Sequence, residues 1–171
     1  MENKNEIFKK IKSGEPEMVA EAIREIKENG DLSIAEELID SLADTSDRNT
    51  ITAIVDLLAD IKESAFKEVL IRKLKEASSS ELKSLLIRIS WESSLDYSTD
   101  LDVFVDFLLQ NNFAIAFEAS TAIEEMVHHL TKEQRNALSQ TLSSPTLSED
   151  KKFLVENILE ELSIPEEEPT E

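Results

Sequence analysis

The segment Leu58-Ala-Asp-Ile-Lys-Glu-Ser64 lies between two amphipathic runs, and it decides how the rest of the chain is interpreted. A close echo, Ile26-Lys-Glu-Asn29, ends an earlier amphipathic run. Two similar helix ends in a chain of 171 residues predict helices that pack as stacked hairpins.

Apolar residues on both sides of this segment recur at helical spacing. Ile54 and Leu58 share one face before it, and Phe66, Leu70 and Leu74 share one face after it. The same spacing continues along most of the chain. It predicts helices near 4–12, 16–29, 33–44, 48–63, 65–77, 79–93, 99–111, 113–130, 132–143 and 148–162.

Helix boundaries carry their own signals. Ser33 with Glu36, Ser78 with Glu81 and Thr131 with Gln134 match the capping box, in which a hydroxyl and a residue three positions on bond each other's backbone N–H. Pro16 suits a first helical position, where its missing N–H costs nothing. Gly30 suits the left-handed residue that follows a helix.

Composition favours helices over sheet. The chain has only two glycines, whereas a β-protein with many tight turns needs glycine at positive φ. Cysteine is absent, which excludes disulfides, thiolate nucleophiles and Cys-based metal sites. The polar N-terminus, Met-Glu-Asn-Lys-Asn-Glu, and the absence of a long apolar run predict a soluble, cytoplasmic protein.

The formal net charge of −19 restricts the partners that are expected. Phosphate backbones repel so acidic a chain, which argues against nucleic acid as a partner. Any partner is expected to be a protein, with basic proteins favoured. The sequence leaves the oligomeric state open.

A repeat is visible at longer range. Ile23, Leu58, Ile87 and Ile123 take like positions on alternate predicted helices, at spacings of about 35, 29 and 36 residues. No single unit of this size buries its apolar stripe alone, so neighbouring units are expected to stack.

The stretch Leu57-Leu-Ala-Asp-Ile-Lys-Glu-Ser-Ala-Phe-Lys-Glu-Val-Leu-Ile-Arg-Lys-Leu-Lys75 resembles HEAT-type repeats, and Leu42-Ala-Asp-Thr-Ser-Asp47 resembles their inter-repeat turn. The resemblance covers roughly 16–142. It implies an all-α fold: a right-handed stack of antiparallel helical hairpins, or α–α superhelix, of about nine or ten helices. It also implies a scaffold that binds proteins through one face. We expect one domain over 1–163 and a disordered acidic tail over 164–171.

Residues 89–131 are the most unusual part of the chain. They contain no Lys or Arg, eight carboxylates and six of the nine aromatic residues. Aromatic side chains dominate interface hot spots, and carboxylates around them would attract a basic partner. The candidates for partner binding are Trp91, Asp96, Tyr97, Asp100 and Asp102. The competing interpretation is that the aromatic residues are core and the carboxylates a solvated face.

Catalytic and metal chemistry find no support in the sequence, and no cofactor is expected. His128 and His129 are adjacent on a helix and therefore about 100° apart, so they do not converge on one ion. No nucleophile elbow and no glycine-rich phosphate loop occur.

Two alternatives to a non-catalytic scaffold remain open. Some HEAT-like proteins are DNA glycosylases that hold DNA in a basic groove, and the basic zone of helices 65–77 and 79–88 would have to form such a groove. An acidic decoy that imitates nucleic acid would instead need carboxylates in regular rows.

Overall fold

The computed structural model describes residues 4–13, 15–29, 32–143 and 147–164. Within them the chain forms helices and no strand, which confirms the all-α prediction. The α-helices are α1 (Lys4–Lys12), α2 (Pro16–Asn29), α3 (Leu32–Asp44), α4 (Arg48–Ala59), α5 (Phe66–Glu76), α6 (Ser80–Glu92), α7 (Leu101–Gln110), α8 (Phe113–Val127), α9 (Lys132–Ser143) and α10 (Glu149–Ser163). A 3-10 turn, Ser98–Asp100, precedes α7.

Two helices end earlier than their apolar patterns predict. The prediction extends α4 to residue 63 and α8 to residue 130, whereas they end at Ala59 and Val127. In both, the next backbone N–H groups bond three residues back: Ile61 N donates to Leu58 O at 3.3 Å, and His129 N to Met126 O at 2.9 Å. This tightening of the last turn ends the helix, although an apolar residue follows.

The capping signals have three outcomes. Thr131 and Gln134 form the predicted capping box, with backbone-to-side-chain bonds of 3.3 and 2.9 Å. The cap of α6 is Ser79 rather than Ser78, because the Ser79 hydroxyl accepts from Leu82 N at 3.1 Å. The helix α2 begins at Pro16 as predicted.

Other boundary residues are less informative. The helix α3 begins at Leu32, one residue before Ser33, whose side chain is outside the described part. Gly30 also lies outside the described residues, as do 165–171 of the predicted tail.

The chain packs as two compact units, the first from the described residues up to Leu95 and the second from Asp96 onwards. In the first, α1 contacts α2, α3 contacts α4, and α5 contacts α6. The even helices also contact one another in series, α2 with α4 and α4 with α6, and α3 contacts α5. The buried core includes Ile11, Val19, Ala22, Leu38, Ile39, Ile54, Leu58, Phe66, Leu70, Leu74, Leu86 and Ile87.

The second unit follows the same contact pattern. The helix α7 packs on α8, α9 packs on α10, and α8 contacts α10. Its core includes Tyr97, Phe104, Leu108, Ala116, Ala119, Ile123, Leu138, Leu142, Leu154 and Ile158. The single helical-repeat domain expected over residues 1–163 stays a prediction.

Candidate functional site

The five predicted partner-binding residues do not form one exposed group. Trp91 lies near the end of α6 in the first unit and is half-buried. Asp96, Tyr97, Asp100 and Asp102 lie at the start of the second unit, before and within the first turn of α7.

Tyr97 differs most from its expected placement. Its side chain is 2% exposed, and its ring meets the ring of Phe104 edge-on, with centroids 6.3 Å apart. For Tyr97 the burial therefore favours the competing interpretation, in which the aromatic residue belongs to the core. The 3-10 turn that follows it contacts both α7 and α8, which carries the Tyr97 ring into the core of the second unit.

The three predicted carboxylates have different surroundings. Asp96 is exposed, and its carboxylate accepts from Ser98 N at 2.8 Å and from Ser98 Oγ at 3.0 Å. Asp100 is half-buried and accepts from the Thr99 hydroxyl at 3.2 Å. Asp102 is exposed in the first turn of α7, where the helix dipole favours a negative charge. Asp96 and Asp102 therefore both serve the local fold as well as the surface charge.

The sequence-based prediction missed an exposed group of phenylalanines in the second unit. Phe113, Phe117 and Phe153 are 40%, 48% and 45% exposed. The ring centroids of Phe113 lie 6.2 Å from Phe117 and 6.1 Å from Phe153, within the range of aromatic pairs. We call these three residues the phenylalanine cluster.

The N-terminal end of α8 sets the position of two members of the cluster. Asn112 caps this helix, since its side-chain oxygen accepts from Ile115 N at 3.2 Å. The small residues Ala116 and Ala119 are buried and mark the core face of α8. Phe113 and Phe117, four residues apart, lie on another face and remain in solvent.

The third member is positioned by α10. Lys151 is buried, and its ammonium donates to Leu109 O near the C-terminal end of α7 at 3.1 Å. Leu154 and Val155 are buried on the core face of α10. This anchoring leaves Phe153 beside Phe113 on the outside of the unit.

The C-terminal ends of α8 and α10 are held together by Arg135 of α9. Its guanidinium donates to Val127 O at 3.1 Å and to Glu161 O at 3.2 Å. It also donates to Leu162 O and Ile164 O, at 3.1 and 3.0 Å. One cation therefore satisfies terminal carbonyls of two helices and lies where their dipoles favour positive charge.

Carboxylates surround this end of the two helices. Partial burial raises the pKa of Glu124 above its usual range, and the negative charges of Glu161 and Glu125 raise it further. His128 Nε2 lies 3.7 Å from Glu161 Oε1, an ion pair when the imidazole is protonated.

Two cations of the basic zone proposed for a nucleic-acid groove are paired with carboxylates inside the first unit. Arg72 pairs with Glu36 of α3 at 2.6 Å and with Glu76 of its own helix at 3.6 Å. Lys73 pairs with Asp40 at 2.6 Å, also across to α3. The hydrogen bond from Glu36 raises the pKa of the Arg72 guanidinium further above its usual value.

Among the described residues, the arrangement of ionisable side chains and the length of the helices bear on metal binding and membrane insertion. No group of three or more His, Asp or Glu side chains in that part of the chain is arranged to hold a metal ion. No helix there combines the length and hydrophobicity that a bilayer crossing requires.

Comparisons with protein-family models, with curated proteins and with solved structures find no match. A function for this chain must therefore be inferred from its own surface and packing.

Proposed function

We propose that the protein is a cytoplasmic, non-catalytic interaction scaffold of the HEAT-like type, and that it binds a protein through the phenylalanine cluster. The observation that carries this proposal is the exposure of three adjacent aromatic rings, each between 40% and 48% accessible. Single exposed apolar residues are ordinary on protein surfaces, but a contiguous aromatic group is typical of an interaction site.

The size of the cluster limits what it contributes to binding. With about 200 Å² for a whole aromatic side chain, the three rings present on the order of 250 Å² of apolar surface. Covering that area is worth up to about 6 kcal/mol. Association costs roughly 4–15 kcal/mol in lost freedom, so the cluster offsets only the lower part of this cost. Additional polar or charged contacts must contribute the remainder.

The contacts between helices support the HEAT-like part of the proposal. Hairpin partners pack in consecutive pairs, and alternate helices pack in series, α2 with α4 and α6 in the first unit and α8 with α10 in the second. Stacked hairpins of the HEAT type have this arrangement of neighbours. Such a stack leaves its outer helix faces free for partners.

The surface predicted around residues 91–106 has a smaller part in this proposal. Trp91 is half-buried, and Asp96 and Asp102 are exposed, so these three stay candidates for partner contact. Asp100 is half-buried and remains a weaker candidate. Tyr97 is excluded because a side chain with 2% exposure offers no contact area.

The rival functions are less well supported. A DNA glycosylase would need a basic groove, whereas Arg72 and Lys73 are paired with carboxylates of α3. A decoy of nucleic acid shares the net charge of −19 but would compete with DNA for a basic protein. Competition by duplex DNA distinguishes the decoy from a scaffold whose binding depends on the phenylalanine cluster.

Site-specific photo-crosslinking tests the proposal. A photoreactive phenylalanine analogue at position 117 is expected to crosslink a defined protein in extract of cells that express the chain. The same analogue at position 18 is the matched control, because Met18 is an exposed apolar residue of the first unit, 36% accessible. Equal crosslinking at both positions, or none at position 117, would contradict the proposal.

A further inference from the structure

The helices α8 and α10 run in the same direction. Their N-terminal ends meet at Phe113 and Phe153, whose ring centroids are 6.1 Å apart. Their C-terminal ends meet at Arg135, which donates to carbonyl oxygens of both helices, Val127 O and Glu161 O. The exposed surface of this pair therefore has two chemically different ends, aromatic at the start of the helices and acidic towards their C-termini.

The helices α8 and α10 both place a glutamate seven residues after an exposed phenylalanine. Phe117 precedes Glu124 by seven residues on α8, and Phe153 precedes Glu160 by seven residues on α10. Seven residues are two turns on one face and about 10 Å along the axis. Glu160 is exposed and Glu124 half-buried, so both carboxylates are accessible from the side on which the rings lie.

Charge on these helices is almost entirely of one sign. The helices α7, α8 and α10 carry ten carboxylates: Asp102, Asp106, Glu118, Glu124, Glu125, Glu149, Asp150, Glu156, Glu160 and Glu161. They carry two lysines. The ammonium of Lys151 donates to a backbone carbonyl, and Lys152 pairs with Glu149. Both lysines lie near the start of α10, away from the acidic end of the surface. The cation at that end is Arg135 of α9, and the carboxylates there, Glu124, Glu125, Glu160 and Glu161, outnumber it.

This distribution of charge determines which kind of partner the exposed surface of α8 and α10 attracts. A second copy of the chain carries the same net charge of −19, and like charges oppose association. Nucleic acid and anionic lipid surfaces are repelled for the same reason. A cationic partner is attracted, and it offsets the negative charges of Glu161 and Glu125, which add to burial in raising the pKa of Glu124.

We infer that the phenylalanine cluster, together with Glu124 and Glu160, binds a cationic amphipathic helix of another protein. Apolar side chains of that helix cover the three rings, and Lys or Arg about two turns further along meets the two carboxylates. This inference rests on the proposed interaction function and specifies the chemistry of its partner.

Three labelled peptides of about 18 residues, long enough for five turns, test the inference by fluorescence anisotropy with the full chain. The first has Leu at helical spacing with Lys two turns away. The second has Glu in place of Lys. The third has the composition of the first in scrambled order. We expect the first to bind at least about tenfold more tightly than either of the others, because it alone combines the apolar face with complementary charge.

Variants of the chain locate the binding. Phe117→Ser with Phe153→Ser is expected to weaken binding of the first peptide about tenfold or more, the size expected on removing two hot-spot aromatics. Glu124→Gln with Glu160→Gln is also expected to weaken it. The control for the phenylalanine variant is Met18→Ser, which also replaces an exposed apolar residue by serine. The control for the glutamate variant is Glu63→Gln with Glu133→Gln, which removes the same net charge from exposed positions elsewhere in the chain. These controls are expected to bind normally.

Three results would overturn the inference. One is equal binding of the scrambled peptide, and another is unchanged binding by the phenylalanine variant. Each would indicate unspecific attraction to an acidic protein. The third is a dimer in sedimentation that Phe117→Ser dissociates, which would identify a second copy as the occupant. If position 117 still crosslinks one defined protein, the interaction function survives and only the cationic-helix partner is wrong.

Discussion

Phe113 and Phe153 lie on different helices with their ring centroids 6.1 Å apart, yet both rings remain close to half exposed. Aromatic side chains that meet in this way usually do so inside a core, where burial of both rings stabilises the fold. Here the pair contacts solvent at the N-terminal ends of α8 and α10. The pair therefore buries less apolar area than a core pair does, and it contributes correspondingly less to stability.

Arg135 is expected to be the most important surface charge for the stability of the second unit. Replacing it with Met removes donors to Val127 O and Glu161 O and to two further carbonyls of the α10 terminus. We expect a loss of about 2–3 kcal/mol in the free energy of unfolding, the range for hydrogen bonds that involve a charged group. Chemical denaturation measures it.

The control for this experiment is Arg24→Met on the exposed surface of α2, which is expected to change stability by less than about 0.5 kcal/mol. Arg135→Lys should recover only part of the loss, because a single ammonium lacks the planar fork that reaches both helices. Equal effects of Arg135→Met and Arg24→Met would show that the bonds to the carbonyls contribute nothing.

The N-cap of α6 distinguishes two neighbouring serines. The Ser79 hydroxyl accepts from Leu82 N, so Ser79→Ala is expected to cost about 1 kcal/mol. Ser78→Ala is expected to be nearly neutral. Thermal unfolding of both variants measures the difference. A larger loss for Ser78→Ala would show that Ser78 caps α6, as the sequence pattern predicts.

Tyr97 and Trp91 are expected to respond differently to truncation. Tyr97→Ala empties a site in the core of the second unit, where its ring meets Phe104, and should cost about 3–5 kcal/mol. Trp91 is half-buried, so Trp91→Ala should cost less than about 2 kcal/mol. Urea titration compares the two variants. The reverse order would make Trp91 the core residue and remove it from the candidates for partner contact.

Glu124 is expected to make the free energy of unfolding fall as the pH rises, the opposite of the usual effect of a carboxylate. Its pKa is raised in the folded chain, so the native state holds this proton more tightly than the unfolded state does. Its contribution therefore falls as the pH rises from the ordinary glutamate value through the raised pKa. At neutral pH, Glu124→Gln removes a carboxylate whose charge is disfavoured by partial burial first and then by Glu161 and Glu125. The C-terminal end of α8 disfavours the same charge.

We expect Glu124→Gln to stabilise the chain at pH 7 by roughly a few tenths of a kcal/mol, the size of a like-charge pair on a helix surface. The gain should disappear at a pH below the ordinary glutamate pKa, where Glu124 is protonated in both states. Unfolding at the two pH values tests this. A variant that is less stable than the parent at pH 7 would contradict it.

The helices themselves could be predicted because each apolar stripe is continuous and each connection is short. Eight of the ten predicted helices agree with the structure within two residues at both ends, and the exceptions are α4 and α8. Those two end where three-residue backbone bonds replace four-residue ones, at Ile61 and at His129. The apolar pattern does not record this change, since Ile61 and Leu130 continue it.

The candidate site was harder to predict because exposure depends on tertiary packing. Tyr97 lies in an acidic loop, yet contacts with α7 and α8 bury it. Phe153 and Leu154 are neighbours in one apolar run, but only Leu154 is buried. The side chain of Phe153 is exposed because Lys151 anchors α10 to the end of α7. One sequence signal was available: Ala116 and Ala119 indicate the closely packed face of α8 and so leave Phe117 elsewhere.

The most direct test of the central claim measures stability and binding in the same variant, Phe117→Ser with Phe153→Ser. If the phenylalanine cluster is a binding surface, the melting temperature should stay within about 4 °C of the parent, because exposed rings contribute little to folding. Association with the protein that crosslinks at position 117 should fall about tenfold or more. Contradiction would come from a variant that melts far below the parent, or from one that still holds that protein with unchanged affinity.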